Sequence, residues 1–115
     1  MGIPTERQDD VPQISRDQLA DDAVILDVRN QDEWDLGHAP GAIHIPLPQL
    51  EARVGELPAG RPLPVTCRGG GRAGRATAWL VEQGVDAANL TDGMLGWKAA
   101  GRALVDEQGG QPDVQ

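Results

Sequence analysis

The only cysteine of this chain lies in a segment rich in glycine and arginine, where it could act as a nucleophile. Cys67 ends an apolar run, and the residues after it are Arg68-Gly69-Gly70-Gly71-Arg72-Ala73. A glycine turn that leads into a helix directs unpaired N–H groups toward the sulfur, and the arginines add positive charge. Each effect favours the thiolate over the thiol. The segment is therefore predicted to hold a reactive thiolate and to bind an oxyanion.

Two other interpretations explain this segment less well. A lone cysteine at the end of a strand is often a small buried hydrophobe, but this interpretation does not explain why arginines flank the glycines. A nucleotide-binding loop needs the G-x-G-x-x-G spacing or the Gly-Lys-Ser/Thr end of a P-loop, and the segment has neither. We therefore interpret Cys67 as a working thiol.

The charge distribution argues against a nucleic acid as the partner. The 115 residues include 18 acids and 10 bases, a net charge of −8, whereas phosphate contacts need a basic surface. The first 57 residues carry this entire net charge, and the arginines of the second half gather around Cys67. A single cysteine also excludes an intrachain disulfide and a zinc site built from several cysteines.

Short apolar runs alternate with helical patterns along the chain, whose length predicts one domain. Strands are predicted at 23–28, 42–46, 62–66 and 85–91, and helices at 15–19, 30–36, 48–57, 73–83 and 95–100. This alternation predicts an α/β fold with a mostly parallel sheet, in which ligands bind beyond the carboxyl ends of the strands. We expect a flexible N-terminal segment at 1–11, a folded domain at 12–105 and a disordered C-terminal tail at 106–115.

Four segments of the chain form a consistent set in their order and spacing. They are Leu26-Asp27-Val28-Arg29 with Glu33; Gly37-His38-Ala39-Pro40-Gly41-Ala42 followed by Ile45-Pro46; Cys67-Arg68-Gly69-Gly70-Gly71-Arg72-Ala73; and Asp92-Gly93-Met94-Leu95-Gly96-Trp97 followed by Ala100-Gly101. Over about residues 12–105 the chain thereby resembles the rhodanese (thiosulfate sulfurtransferase) domain family. The resemblance implies a three-layer α/β/α fold with a mostly parallel five-stranded sheet.

The resemblance also implies an activity, in which Cys67 is the catalytic nucleophile and residues 68–73 form the loop that binds the anionic substrate. The thiolate attacks the outer sulfur of a donor such as thiosulfate and retains it as a persulfide, which cyanide or a thiol then removes. With no second cysteine in the chain, the acceptor must come from outside, and a protein is a further candidate. No cofactor and no metal are expected.

The spacing in the loop separates this family from phosphatases that resemble it in fold. Those enzymes hold one more residue between cysteine and arginine, whereas four residues separate Cys67 from Arg72. The tighter ring of N–H groups suits one added sulfur better than a phosphoryl group. Gly71 and Ala73 stand where the family often has larger or hydroxylated residues. Because backbone donors remain, we expect activity to survive.

Five residues outside the loop are predicted to support it. Arg29 and Glu33, four apart, are predicted to form a structural ion pair, and Asp27 to orient the loop. His38 is predicted to stabilise a turn, with proton donation as the alternative. Trp97 either forms a wall of the pocket or packs in the core.

Several functions remain open at this stage. A sulfurtransferase comes first, and a persulfide carrier or sensing module that serves a partner protein comes second. A phosphatase or an arsenate-handling enzyme is third, and a purely structural interaction domain is last. Arg68 either meets an anionic donor or a protein partner, or is simply solvated. The charged start of the chain and the absence of a long apolar stretch predict a cytoplasmic protein without a membrane segment. One short domain without an obvious apolar patch predicts a monomer.

Overall fold

The computed structural model of the chain describes residues 11–115, and a five-stranded parallel sheet forms its centre. In chain order the strands are β1 (Gln13–Ile14), β2 (Ile25–Asp27), β3 (Ala42–His44), β4 (Leu63–Thr66) and β5 (Ala87–Leu90). They lie in the order β1-β5-β4-β2-β3, and each neighbouring pair is parallel. Every residue of β2, β4 and β5 is buried, as expected for a sheet covered on both faces.

Helices and buried side chains form a layer on each face of the sheet. The α-helices are α1 (Gln31–Leu36), α2 (Gly71–Glu82) and α3 (Gly93–Ala99). One buried cluster combines side chains of α2 with Leu26, Val65 and Cys67. The other combines side chains of α3 with Ile25 and Leu90, whose side chains point to the opposite face. The predicted three-layer α/β/α fold is confirmed.

The starts of two predicted helices, 15–19 and 30–36, agree with the structure to within one residue. Ser15 and Gln18 form a capping box at a short 3₁₀ helix, Arg16–Gln18, and Asn30 and Glu33 form one at the start of α1. In each box the polar side chain of the third helical residue satisfies an N–H group that the helix leaves free. The Glu33 box also directs that carboxylate inward, toward the end of the sheet where Cys67 lies.

The helix predicted over 48–57 is wrong. The structure has two separate 3₁₀ helices there, Leu47–Gln49 and Val54–Glu56. Pro48 supplies no N–H group, and Gly55 weakens any helix that includes it. Leu50 is buried but Val54 is exposed, so the segment lacks one continuous apolar face. Strand β1 was not predicted, because a strand of two residues is too short to show an alternation of polar and apolar side chains.

The disordered tail predicted at 106–115 differs from the structure, in which the mostly exposed segment is anchored on the domain at Asp113 and Val114. Val114 is only 4% exposed and belongs to the buried cluster on the α3 face. The N–H group of Asp113 donates to the carbonyl of Leu36 over 3.0 Å. The polar composition of the segment concealed this one apolar anchor. Of the flexible segment predicted at 1–11, residues 1–10 lie outside the described part of the chain.

Candidate active site

Strand β4 delivers Cys67 to the carboxyl end of the sheet, and four residues later the chain enters α2. Gly70 occupies the N-cap of this helix with φ of +122°, a conformation that favours glycine. The amide of Gly74 then donates to the carbonyl of Gly70 over 2.8 Å, which closes the first turn of the helix. The helix was predicted from residue 73, but it begins at Gly71. Its first turn therefore lies directly against the cysteine.

Two backbone N–H groups point at the cysteine sulfur. The amide of Gly70 lies 3.0 Å from Cys67 Sγ, and the amide of Ala73 lies 3.3 Å from it. Donors from a loop and from the first helical turn stabilise negative charge on sulfur. Cys67 as a residue is only 1% exposed, so a donor can reach the sulfur only with a small or extended group.

The far side of the loop is held by α3 through backbone contacts. The amides of Met94 and Leu95 donate to the carbonyls of Cys67 and Arg68, over 2.8 and 3.0 Å. Gly93 has φ of +55°, and a Cβ added there would lie 2.6 Å from the carbonyl oxygen of Cys67. Only glycine fits this approach. The sequence did not predict these backbone contacts between α3 and the loop, although an Asp-Gly pair before an apolar residue is a recognisable turn signal.

The outer side of the loop is open. A Cβ added at Gly69 or Gly71 would meet no heavy atom within 4 Å outside its immediate neighbours. Larger side chains would therefore fit at both positions.

Arg72 forms a two-pronged ion pair with Glu33. Its Nη1 and Nη2 atoms lie 2.6 and 2.9 Å from the two carboxylate oxygens. The hydrogen bond from Arg72 holds the pKa of Glu33 below its ordinary value, against the opposing effect of burial. The same bond raises the pKa of Arg72. Arg72 thus places a permanent positive charge near the sulfur, with part of its hydrogen-bonding capacity already used.

The ion pair predicted between Arg29 and Glu33 is not formed, because each residue has another partner. Arg29 pairs with Asp27: its Nε lies 2.9 Å from Oδ1 and its Nη2 lies 2.7 Å from Oδ2. Nη2 also donates to the carbonyl of Gly37 over 2.7 Å. Arg29 folds back on the end of β2, while the cap of α1 turns Glu33 toward Arg72. Asp27 therefore makes its side-chain hydrogen bonds with Arg29, and its charge also helps to raise the pKa of Arg72.

His38 and Trp97 lie away from the sulfur. The ring of His38 stacks on Trp34, its Nδ1 lies 2.9 Å from the carbonyl of Trp34, and its backbone pairs with that of Val105. Trp97 is buried in the cluster on the α3 face, and its Nε1 donates to the carbonyl of Ala103 over 2.8 Å. The contacts of His38 are those of a turn residue, and the contacts of Trp97 are those of a core residue.

Arg68 lies at the edge of the loop with its side chain exposed. Its Nε donates to the backbone carbonyl of Gln115 over 2.7 Å, a contact the sequence did not suggest. Among residues 11–115, no group of three or more potential ligands is placed to hold a metal ion. Within the same residues, no helix has both the length and the apolar surface that crossing a membrane requires.

The comparisons with known proteins agree with this geometry. The protein-family model of the rhodanese-like domain matches residues 11–100 of this chain. The chain therefore belongs to the rhodanese-like domain family. A solved structure of a rhodanese-related protein from Thermoplasma volcanium superposes with a TM-score of 0.75 at 25% identity, over 84% of this chain and 99% of that one.

Two curated relatives indicate the chemistry found within the family. A sulfurtransferase of Allochromatium vinosum is 33% identical over 80% of this chain and 89% of its own length. A putative sulfur carrier protein of Bacillus subtilis, YrkF, is 32% identical over 81% of this chain. The chain spans only 54% of that carrier's length. Together these relatives support sulfur transfer in general and specify neither donor nor acceptor.

Proposed function

We propose that this protein is a sulfurtransferase that moves a sulfane sulfur from thiosulfate to cyanide or a thiol through a persulfide on Cys67. The observation that carries the proposal is the pair of backbone N–H groups, from Gly70 and Ala73, directed at Cys67 Sγ. Family membership and the named relatives support sulfur transfer at the coarser level. The choice of thiosulfate rests on the positive charge around the loop.

In the first half-reaction the Cys67 thiolate attacks the outer sulfur of thiosulfate. A sulfur–sulfur bond forms to the protein, the bond within thiosulfate breaks, and sulfite leaves with the electron pair. The amides of Gly70 and Ala73 face the sulfur during this step and stabilise negative charge there. Arg72, held by Glu33, adds a fixed positive charge without having to reorganise.

In the second half-reaction an external nucleophile removes the outer sulfur. Cyanide attacks it and leaves as thiocyanate, which returns Cys67 to the thiolate; a thiol attacks in the same way and leaves as a persulfide. The chain has no second cysteine that could displace the sulfur as an internal disulfide. The proposal therefore includes an external acceptor. It also takes the protein to act as a cytoplasmic monomer.

Replacing the nucleophile tests the proposal directly. Cys67→Ser should reduce thiocyanate formation from thiosulfate and cyanide by at least about 10³-fold, because a hydroxyl cannot form the persulfide. The matched control is Val81→Ser, at an exposed position of α2, which should retain the wild-type rate. Circular dichroism should show the same fold in both variants. Thiocyanate production that persists in Cys67→Ser would refute the proposal.

A persulfide carrier is the second candidate, favoured by the resemblance to the putative sulfur carrier. A carrier would load sulfur and deliver it only to a specific partner. Intact-protein mass spectrometry after incubation with thiosulfate separates the two functions. A stable gain of about 32 Da, one sulfur atom, with negligible turnover of cyanide would favour the carrier. A transient gain that cyanide discharges within the catalytic cycle would favour the enzyme.

A further inference from the structure

Asn89 lies near the carboxyl end of β5, the strand next to the one that carries Cys67. In the register of the sheet its partner is Val65 of β4, two residues before the cysteine. Side chains alternate between the two faces of a strand, and Ala87 belongs to the buried cluster on the α2 face. Asn89, two residues further on, therefore directs its side chain to the same face as Cys67.

The side-chain amide of Asn89 borders the active-site loop at Gly70. A Cβ added at Gly70 would lie 3.8 Å from Asn89 Nδ2 and, apart from the adjoining residues, would have no other heavy atom of residues 11–115 within 4 Å. Gly70 is the residue whose amide donates to Cys67 Sγ over 3.0 Å. Asn89 is thus the side-chain neighbour of a residue that supplies one of the two N–H groups facing the sulfur.

Strand β1 fixes the side chain of Asn89. Its Nδ2 donates to Oε1 of Gln13 over 3.0 Å, and its backbone amide donates to the carbonyl of Pro12 over 2.8 Å. Gln13 is also the residue opposite Asn89 in the parallel pairing of β1 with β5. The edge strand therefore sets the plane of an amide group whose residue is only 7% exposed.

The carbonyl oxygen of the same side chain has no hydrogen bond. Asn89 Oδ1 is buried and finds no partner within residues 11–115. An unpaired buried acceptor lowers stability, whereas an apolar side chain of the same shape would not carry this cost. Packing alone therefore does not account for an asparagine at this position. A neutral amide does fill the space beside the loop without placing a charge there.

We propose that Asn89 is a positioning residue for the sulfur transfer, because it holds Gly70 where its amide faces Cys67 Sγ. Gly70 has φ of +122° and no side chain of its own to fix it, so its orientation depends on the groups that border it. Asn89 acts through Gly70 rather than on the sulfur itself. The inference rests on the proposed function and adds to it a residue outside the loop.

The pH profile of Cys67 alkylation tests this role without any turnover. Iodoacetamide reacts with the thiolate, so the midpoint of the profile reports how well the loop stabilises negative charge on the sulfur. Asn89→Leu releases Gly70 and should raise this midpoint by about one pH unit, the effect of partly losing a hydrogen bond to a charged atom. Because the variant also removes the unpaired oxygen, its urea denaturation midpoint should not fall. A purely structural asparagine predicts the opposite pattern, with lower stability and an unchanged pH profile.

A double-mutant cycle shows whether the support runs from β1 through Asn89. Gln13→Ala, at an exposed position, removes the acceptor that fixes the amide and should raise the alkylation midpoint by a smaller amount. Combined with Asn89→Leu it should raise the midpoint no further than Asn89→Leu alone. Thr91→Val removes only the other hydrogen bond to Gln13 Oε1 and is the matched control, which should leave the midpoint unchanged.

The outcomes that would overturn the proposal are specific. They are an unchanged alkylation midpoint in Asn89→Leu, a lower urea denaturation midpoint in that variant, and additive increases of the alkylation midpoint in the double variant. If Asn89→Leu does not fold, Gln13→Ala applies the same test from the surface, and an unchanged alkylation midpoint there overturns the proposal instead.

The kinetics with thiosulfate separate this inference from the proposed function. Below both alkylation midpoints, kcat/KM for thiosulfate should fall about tenfold in Asn89→Leu, because a midpoint one unit higher lowers the thiolate fraction tenfold. Above both midpoints the difference should disappear. If the wild-type protein does not turn over thiosulfate but the midpoint still rises, the proposed function fails and Asn89 still positions the loop. If turnover is normal and neither the midpoint nor kcat/KM responds, the inference fails alone.

Discussion

Two arginine–carboxylate pairs flank the active-site loop, and they differ in burial and in reach. Asp27 and Arg29 are two residues apart at the end of β2, with side chains 0% and 1% exposed. Glu33 and Arg72 are 39 residues apart, join α1 to the first turn of α2, and have side chains 8% and 26% exposed. The first pair joins two residues that are close in sequence at the end of one strand. The second connects two separate elements beside Cys67.

The difference in burial predicts different roles for the two ion pairs. A fully buried pair must remain complete, because removing one member leaves a charge without water or partner. A pair with one partly exposed member loses less, because water replaces part of the interaction. Substitutions at Asp27 or Arg29 should therefore act mainly on folding. Substitutions at Glu33 should act on the charge that the sulfur donor meets.

The largest effect is expected at the buried pair. Asp27→Asn should lower the free energy of unfolding by about 3–5 kcal/mol, because Arg29 remains charged and buried. Urea denaturation at neutral pH measures the loss. Asp27→Leu combined with Arg29→Met removes both charges and should be more stable than Asp27→Asn. A loss below about 1 kcal/mol in Asp27→Asn would show that the pair does not hold the end of β2.

A smaller change in stability with a change in donor binding is expected at the second pair. Glu33→Gln should lower the free energy of unfolding by about 1–3 kcal/mol, the cost of a charged hydrogen bond. It should also lower KM for thiosulfate about threefold, because the neutral amide no longer offsets part of the positive charge of Arg72. Glu56→Gln, which removes the exposed pair with Arg53, is the matched control and should change neither quantity. A raised KM in Glu33→Gln would contradict this account.

The pH dependence of stability is the smallest and most selective effect. The pKa of Glu33 is held below its ordinary value in the folded protein, chiefly by the hydrogen bond from Arg72. Its contribution is therefore complete above the unfolded pKa of about 4.3 and is lost as pH falls through the lower folded value. The stability gap between wild type and Glu33→Gln should be constant from about pH 7 to pH 5.5 and narrow below about pH 4.3. A gap that does not change down to about pH 3 would exclude Glu33 as its source.

The sequence predicted the parts of this molecule that depend on neighbouring residues. The glycine turn after Cys67 predicted the start of α2 to within two residues, and the helix predicted at 30–36 corresponds to α1. Apolar runs predicted β2 to β5 because a sheet buried on both faces needs no alternation. The arrangement of the N–H groups around the sulfur follows from this local order.

What the sequence did not predict depends on contacts across the fold. Spacing suggested Glu33 as the partner of Arg29, but Arg72 reaches Glu33 only once α2 has packed against the sheet. The buried position of Val114 was hidden in the same way, because a single apolar residue in a polar segment has no periodicity to detect. Such pairings are set by tertiary packing, which local patterns do not record.

The backbone contacts between the loop and α3 have a consequence for the motions of the protein. Because the amides of Met94 and Leu95 close on the carbonyls of Cys67 and Arg68, these amides exchange with solvent only when the two segments separate. The loop and the last helix thus belong to one cooperative unit of local opening. Loading of sulfur onto Cys67 should alter the exchange of two amide protons on the face of the sheet opposite to α2, which makes α3 a built-in reporter of the state of the sulfur.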